Sequence, residues 1–338
     1  MTNLSATTQE LWKRTVVPQV LLRLVVPAKL AEQRRVTWPG GTTITGPVDM
    51  ATGEEITQPY AANDPLTAAT KTYLAKPSWI YKHLQHPISY NIDEFIQNFG
   101  AANDAQMVNL SRFLVDKAHK SLRLRLGKMM YGATAAGAAL TTTDADKNFQ
   151  SINQALIHDG TYGGLARGTT VTNPWWQGAS IADTFADGAT DYGASVNTFW
   201  RALSACQKYA TDPAEYLCVV GPTIYLKLKS YVGASVEITN PGPMVKYGFH
   251  SFTVDGVEVV EEGLLRNSII TNGHLRMYIL HIPDWEFRLH PQRAFEMKDF
   301  TWQGSVPNGT DSWLSRILLS GNLICWKPNE SIYLSALT

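Results

Sequence analysis

The clearest periodicity in the chain runs from Asn103 to Tyr131, where Met107, Leu110, Leu114, Ala118, Leu122, Leu126 and Met129 recur at spacings of three or four. Residues spaced this way share one face of an α-helix, so the pattern predicts a single amphipathic helix about 40 Å long. Asp104 near its start and Arg123, Arg125 and Lys128 near its end complement the helix dipole, and Gly132 supplies a stop before the small-residue tract from Ala133 to Thr143. A second helical period, through Val196, Phe199, Trp200, Leu203 and Cys206, predicts a helix from Ser195 to Tyr209 that ends before Asp212-Pro213. A strand follows from Glu215 to Val220, and Gly221-Pro222 then opens a helix from Thr223 to Tyr231.

Beyond that point the pattern shortens to a period of two. Asp255-Gly256 separates Phe252-Thr253-Val254 from Val257-Glu258-Val259, and Asn272-Gly273 separates Ser268-Ile269-Ile270 from Arg276-Met277-Tyr278. Both dipeptides accept the positive φ angles of tight hairpin turns, so two hairpins are expected. Runs from Trp313 to Leu319 and from Ser331 to Leu337 complete a largely β C-terminal third. The fold class implied is α+β with one long helix.

Two segments carry apolar surface without a core of their own. From Thr7 to Gln33, Val16, Val17, Val20, Leu21, Leu22, Leu24, Val25 and Val26 are interrupted by Pro18 and Pro27, and no single helix passes through both prolines. This reads as a short helix and an extended apolar arm lying across another surface; the alternative is an internal element covered by the same subunit. From Arg34 to Pro87, the turns Trp38-Pro39-Gly40-Gly41, Gly46-Pro47, Thr52-Gly53 and Asn63-Asp64-Pro65 punctuate short β-prone runs. That is a long two-stranded excursion, and an isolated ribbon is marginal in water unless it rests on something else.

Composition sharpens this picture. Charged residues make up 17% of the chain, below the usual quarter or so, while there are ten tryptophans and fourteen tyrosines, which favours a surface built for protein contact. The formal net charge is zero, which argues against a dedicated nucleic-acid clamp. Cys206, Cys218 and Cys325 are odd in number and lack CxxC spacing, so reduced thiols are expected. No charged start followed by an apolar run and no bilayer-length apolar stretch is present, so the expectation is a soluble, unsecreted protein with no membrane partner.

Chemistry-bearing motifs are missing. Phosphate loops, dinucleotide turns, zinc helices and nucleophile elbows all lack their minimum residues, so no catalytic residue, cofactor or metal is expected. Asp144, Asp146 and Asn148 imitate half of a calcium loop, but Phe149 and Ala155 occupy the places of its glycine and glutamate. His83 and His86 form an incomplete pair, His281 and His290 read as solvated or core residues without an acidic partner at ligand spacing, and the pairs Glu54, Glu55 and Glu261, Glu262 read as solvated turn charges.

One stretch stands apart: Asp159-Gly160-Thr161-Tyr162-Gly163-Gly164-Leu165-Ala166-Arg167-Gly168, followed by Asn173-Pro174-Trp175-Trp176-Gln177-Gly178. Gly163 and Gly164 permit a backbone turn closed to other residues, while Trp175 and Trp176 bring large apolar area with an N–H handle. Tyr162, Gly163, Gly164, Arg167, Trp175 and Trp176 are therefore candidate contact or loop-ordering residues, together with Trp12 in the arm and Trp38 in the ribbon.

In the order of arm, ribbon, long helix, Tyr-Gly-Gly-Leu-Ala-Arg with Asn-Pro-Trp-Trp, and a closing β-rich domain, the chain resembles the major capsid proteins of tailed bacteriophages with the HK97-type fold. Tyr162 to Arg167 followed by Trp175-Trp176 is similar to a Tyr-Gly-Gly-Ile-Asp-Arg and tryptophan segment in one group of them, with Ala166 in place of the acidic residue. The resemblance implies an arm over 1–33, an extended loop over 34–92, a peripheral domain over 93–184 with a spine helix at 103–131, an axial domain over 185–283, and a return to the peripheral domain over 284–338. It implies pentamers and hexamers closing into an icosahedral virion shell around double-stranded DNA, assembled in the host cytoplasm, with no enzymatic activity. Portal, scaffold and decoration proteins are the further partners it implies, with any scaffold a separate chain. Lysine crosslinking occurs in some members; Lys71, Lys76 and Lys82 read instead as exposed solvating groups. The rival readings are an encapsulin-like compartment of the same fold and a metal-free enzyme with the glycine-tryptophan loop as a lid.

Overall fold

The computed structural model describes residues 20–49, 74–93, 110–132, 147–158, 160–167, 175–179, 181, 192–206, 215–235, 243–266, 268–270, 273–305 and 310–334. Trp12, Lys71, Glu54, Glu55, Asp144, Asp146, the start of the long helix before Leu110 and the tract from Ala133 to Thr143 lie outside the described residues. The helices are α1 (Val25–Glu32), α2 (Leu110–Met130), α3 (Ile152–Leu156), α4 (Tyr192–Cys206) and α5 (Pro222–Ser235). The strands before the long helix are β1 (Val36–Thr37), β2 (Thr43–Thr45), β3 (Val48–Asp49), β4 (Leu74–Ala75), β5 (Ser78–Ile80) and β6 (Lys82–Asn91). Those after it are β7 (Gly160–Tyr162), β8 (Leu165–Arg167), β9 (Tyr216–Val220), β10 (Ser251–Val254), β11 (Val257–Glu261), β12 (Met277–His281), β13 (Trp285–Leu289), β14 (Glu296–Met297), β15 (Thr301–Trp302), β16 (Ser312–Cys325) and β17 (Ile332–Leu334).

Two sheets organise these elements. In the first, β16 carries β6 antiparallel along one edge, from Ser312 opposite Asn91 to Gly321 opposite Lys82, and β13, β14 and β15 in turn along the other. β1 extends it in parallel on β13. The second runs β10-β11-β9-β12-β17. Every residue of β9 and β12 is buried, and period-two alternation divides them between two cores. Tyr216, Cys218, Val220, Met277 and Ile279 face Phe199, Ala202 and Leu203 of α4 and Ile224, Tyr225 and Leu228 of α5. Leu217, Val219, Tyr278 and Leu280 face a larger core that includes Leu122, Leu126 and Met129 of α2.

The long helix keeps its expected face, with Ala118, Leu122, Leu126 and Met129 all buried. Each large side chain so placed contributes about 1.5–3 kcal/mol of burial. Gly132 ends it at φ 73°, donating its N–H to the Met129 carbonyl. The Asp255-Gly256 hairpin also forms, with both turn residues at positive φ and Val254 opposite Val257.

Several expectations need correction. Residues 20–33 are not a free extended arm: Leu24 to Glu32 turn into α1, and Val20, Leu21, Val25, Val26, Ala28 and Leu30 are buried in the chain's own core. Pro27 falls in the first helical turn, where its missing N–H has no intrahelical acceptor to lose. The first N–H of α1, on Val25, instead donates to buried Glu262, which also accepts from Leu264 N and Tyr131 Oη. Glu262 is thus no solvated turn charge, and burial holds its carboxyl above the ordinary range against the pull of those donors. The second hairpin does not form either; β12 pairs with β9 and β17, and Gly273–Leu275 is a 3-10 turn packed on Leu265. Finally, Lys82, expected as an exposed solvating group, is buried in β6, which pairs with β16 in the first sheet, while β17 pairs with β12 in the second.

Gly221, expected only to open a helix, proves to be a point of contact. A Cβ there would lie 2.4 Å from the Gly273 carbonyl oxygen and 2.6 Å from backbone atoms of His274, which cannot swing aside as a side-chain tip could. Gly221→Ala should therefore cost about 1–3 kcal/mol as overpacking, seen as a lower urea midpoint with an unchanged slope. An unaltered midpoint would show that the α5 entry is not held against that backbone.

Candidate functional site

The glycine-aromatic stretch folds as a two-residue hairpin. β7 and β8 pair with Tyr162 opposite Leu165, and Gly163 and Gly164 between them hold φ of 58° and 80°. Both central angles positive is the turn whose twist matches paired strands, which explains the double glycine. Gly163 has a further constraint: a Cβ there would stand 2.8 Å from two ring atoms of Trp79 and 2.9 Å from Pro77 Cβ, whereas nothing lies within 4 Å at Gly164. The Gly163 carbonyl accepts from Ser78 N at 2.8 Å, so the hairpin tip is pinned directly on β5.

Around that point the aromatics interlock. The Trp79 ring meets Tyr162 edge-on at 5.4 Å and Trp326 at 5.3 Å, with Trp176 at 6.3 Å, and Trp175 lies 5.3 Å from Trp176. Trp176 Nε1 donates to the Tyr162 carbonyl at 2.8 Å, while Tyr162 Oη accepts from Cys325 N at 2.8 Å. The indole of Trp176 and the phenol of Tyr162 are thus both partnered, whereas Trp79 Nε1 is buried without a hydrogen bond. Arg167 lies over the Tyr162 ring at 5.2 Å and donates to the carbonyls of Ala155 at 2.9 Å and Gln154 at 2.5 Å. Those are carbonyls of the last turn of α3, whose start is closed by a Ser151–Gln154 capping box, so Arg167 serves as its C-terminal cap.

Most members of this stretch are buried. Tyr162, Arg167 and Trp176 are buried inside the subunit, Trp176 completely. Trp175 is half-buried, Gly164 is exposed, and Trp38 is 43% exposed on a separate loop after β1. The residues that the sequence did not single out are Trp79 and Trp326, the centre of the cluster. Their signal was weak: each is one aromatic near a proline, and only strand pairing brings them together.

The cluster packs against the base of the ribbon. β2 pairs with β5 and β3 with β4, and along this ladder Ile44, Val48 and Trp79 point inward while Thr43, Asp49, Leu74 and Ile80 point out. Gly46 lies against the Trp326 ring, where a Cβ would come within 2.8 Å. The base of the excursion therefore rests on its own subunit, and its outer face leaves Leu74 63% and Ile80 56% exposed. Phe113 and Leu124 on α2, Trp302 on β15 and Leu226 on α5 add further exposed apolar surface.

The remaining chemistry is sparse. Cys206, Cys218 and Cys325 are free and buried, and burial pushes all three thiols up, away from the reactive thiolate. His83 Nδ1 lies 2.7 Å from Ser320 Oγ. His281 is neither solvated nor without acidic partners: Asp284, Glu330 and Glu215 all contact its ring. Burial alone would lower the His281 pKa, but its bonds to Asp284 and Glu215 and the charge of Glu330 carry it above the ordinary imidazole value. Among the described residues, no helix is long and apolar enough to cross a membrane.

No protein-family model and no curated protein matches the chain. Solved structures do. The capsid asymmetric unit of cyanophage A-1(L) aligns over 90% of this chain and 90% of its own, with a TM-score of 0.61 and 14% identity. The capsid of a native GTA particle aligns over 92% and 90%, with a TM-score of 0.53 and 11% identity. The capsid of Myoviridae phage XM1 aligns over 91% and 92%, with a TM-score of 0.50 and 13% identity. At such identities the likeness speaks for architecture, and it spans nearly the whole chain: an α+β subunit with ribbon, long helix and two sheets, which is the HK97-type fold of phage capsid proteins.

Proposed function

We propose that this chain is a major capsid protein, a coat subunit that self-assembles into the pentamers and hexamers of an icosahedral phage head enclosing double-stranded DNA. The observation that carries this reading is the capsid fold over about 90% of the chain, combined with a ribbon whose outer face exposes Leu74 and Ile80. Apolar residues scattered over ribbon, helix and sheet edge suit a subunit touched by several neighbours, since a lattice sums many modest contacts. In this reading α2 and the first sheet form the peripheral domain, and the second sheet with α4 and α5 forms the axial domain at the five-fold and six-fold centres. Trp38, Trp175 and the outer ribbon face take part in contacts, while the Tyr162–Trp176 cluster fixes the angle at which the ribbon leaves the subunit. The mechanism is interface area, and no catalytic step enters it. Packaged DNA meets the inner wall through weak, sequence-independent contacts, in keeping with a chain of zero net charge. Portal, scaffold and decoration proteins complete the virion.

Sedimentation and electron microscopy of the purified full chain test this. Closed shells of megadalton mass with five-fold and six-fold clusters are expected; a discrete monomer or small oligomer under all assembly conditions would refute the proposal. Particles that carry enzyme cargo in place of DNA would move the same fold to a compartment role.

A further inference from the structure

The chain crosses between its two sheets twice, side by side. β12 of the second sheet passes to β13 of the first through the turn Ile282–Asp284, and β16 of the first passes back to β17 of the second through the turn Pro328–Glu330. Ser331 ties the crossings, its hydroxyl accepting from His281 N and from Trp285 Nε1, each at 3.1 Å. At this junction His281, Asp284 and Glu330 converge, all more than nine-tenths buried, with one ligand atom from each lying within 4.8 Å of the others.

The geometry points to a divalent transition-metal site, of the Zn2+ or Mn2+ class, formed by His281 Nδ1, Asp284 Oδ2 and Glu330 Oε2 and clamping the two crossovers together. Three features carry this. First, Nδ1 has carboxylate oxygens at 2.6 Å and 3.0 Å, and a single N–H cannot serve both well, whereas one cation between three lone pairs does. Cis ligands of an octahedral ion with bonds of about 2.1 Å stand about 3.0 Å apart, and both oxygens already lie within a few tenths of an ångström of that distance from Nδ1. Second, outside this trio, Nε2 lies 3.1 Å from Glu215 Oε2 at the start of β9. A carboxylate on the far ring nitrogen fixes the tautomer that leaves Nδ1 free to ligate, the usual support of a metal-bound histidine. Third, acidic groups are in excess around the ring: Asp284, Glu330 and Glu215 contact it, Lys327 lies 3.4 Å from Glu330, and a divalent ion offsets the remaining negative charge. The ion replaces the proton that the ring otherwise holds. One imidazole with two carboxylates suits Zn2+ or Mn2+ better than Mg2+, which prefers an all-oxygen shell. Such a staple would hold the two sheets at one mutual angle.

The test uses the full chain, stripped with chelator and titrated with MnCl2 followed by electron paramagnetic resonance, and with ZnCl2 followed by calorimetry. Buried thiols do not compete for Mn2+, so the two probes separate this site from cysteine. One saturable ion per chain is expected, with an unfolding midpoint that rises with metal concentration. Glu215→Ala, at a half-exposed position, should fold normally and bind about 10–100-fold more weakly. Glu330→Gln and Asp284→Asn should lose saturable binding. Wild-type chain without saturable uptake of either ion, or equal affinity in Glu215→Ala, would overturn the proposal; should the ligand variants fail to fold, those two measurements decide it alone.

Discussion

Replacing Gly163 by valine is expected to destabilise the subunit by about 2–5 kcal/mol and to abolish particle formation. The estimate has two parts: about 1–2 kcal/mol for a side chain at φ 58°, and about 1–3 kcal/mol for a Cβ driven into the Trp79 ring at 2.8 Å. The ring has nowhere to go, because Tyr162, Trp176 and Trp326 pack around it and Ser78 N holds the Gly163 carbonyl. Asparagine separates the two parts, since it tolerates the left-handed region but still carries a Cβ. Gly164→Asn, where the added atom meets open space, should be nearly silent in urea melts and in particle yield. Gly163→Asn should keep most of the packing loss and few shells. Equal behaviour of the two asparagine variants would show that the turn conformation alone matters and that the hairpin does not set the ribbon.

How far the sequence revealed this follows from which contacts are local. The buried face of α2 was legible because a helix repeats its own environment every three or four residues, and the Asp255-Gly256 hairpin because its turn and both strands are contiguous. Asn272-Gly273 carried the same local signature, yet Met277 to His281 pair with Tyr216 to Val220, a strand that no turn dipeptide can announce. Residues 20–33 misled for a different reason: an apolar run reads alike whether it covers a neighbour or fills its own subunit. In the site, Tyr162, Gly163 and Trp176 stood out by composition, but Trp79 and Trp326 join them only through strand pairing and chain crossing. The His281 group was split in the same way. Asp284 is only three residues on, while Glu215 and Glu330 are delivered by β9 and β17, the two strands that flank β12 at its His281 end.

The placement of residues 20–33 leads to the other large expected effect. Lys29 of α1 and Glu258 of β11 are buried and form an ion pair at 3.0 Å, 229 residues apart in sequence, and Glu258 also accepts from Met244 N at 2.6 Å. Lys29→Met leaves that carboxylate buried with a single amide donor, and a stranded partner of a buried pair typically costs about 3–5 kcal/mol. Glu258→Gln in the same chain should restore much of the loss, because the carboxamide oxygen still serves Met244 N and no charge remains to be solvated. A coupling of about 0.5–3 kcal/mol between the two substitutions is therefore expected from the four urea midpoints. A loss below about 1 kcal/mol, the scale of exposed pairs, would mean that water reaches the site. Protein concentration supplies the decisive control. If α1 belongs to its own subunit, the loss is the same at every concentration; if it lay across a sister chain as an arm, the loss would shrink as dilution removed the partner, so a concentration-dependent difference would return this segment to the exchange between subunits.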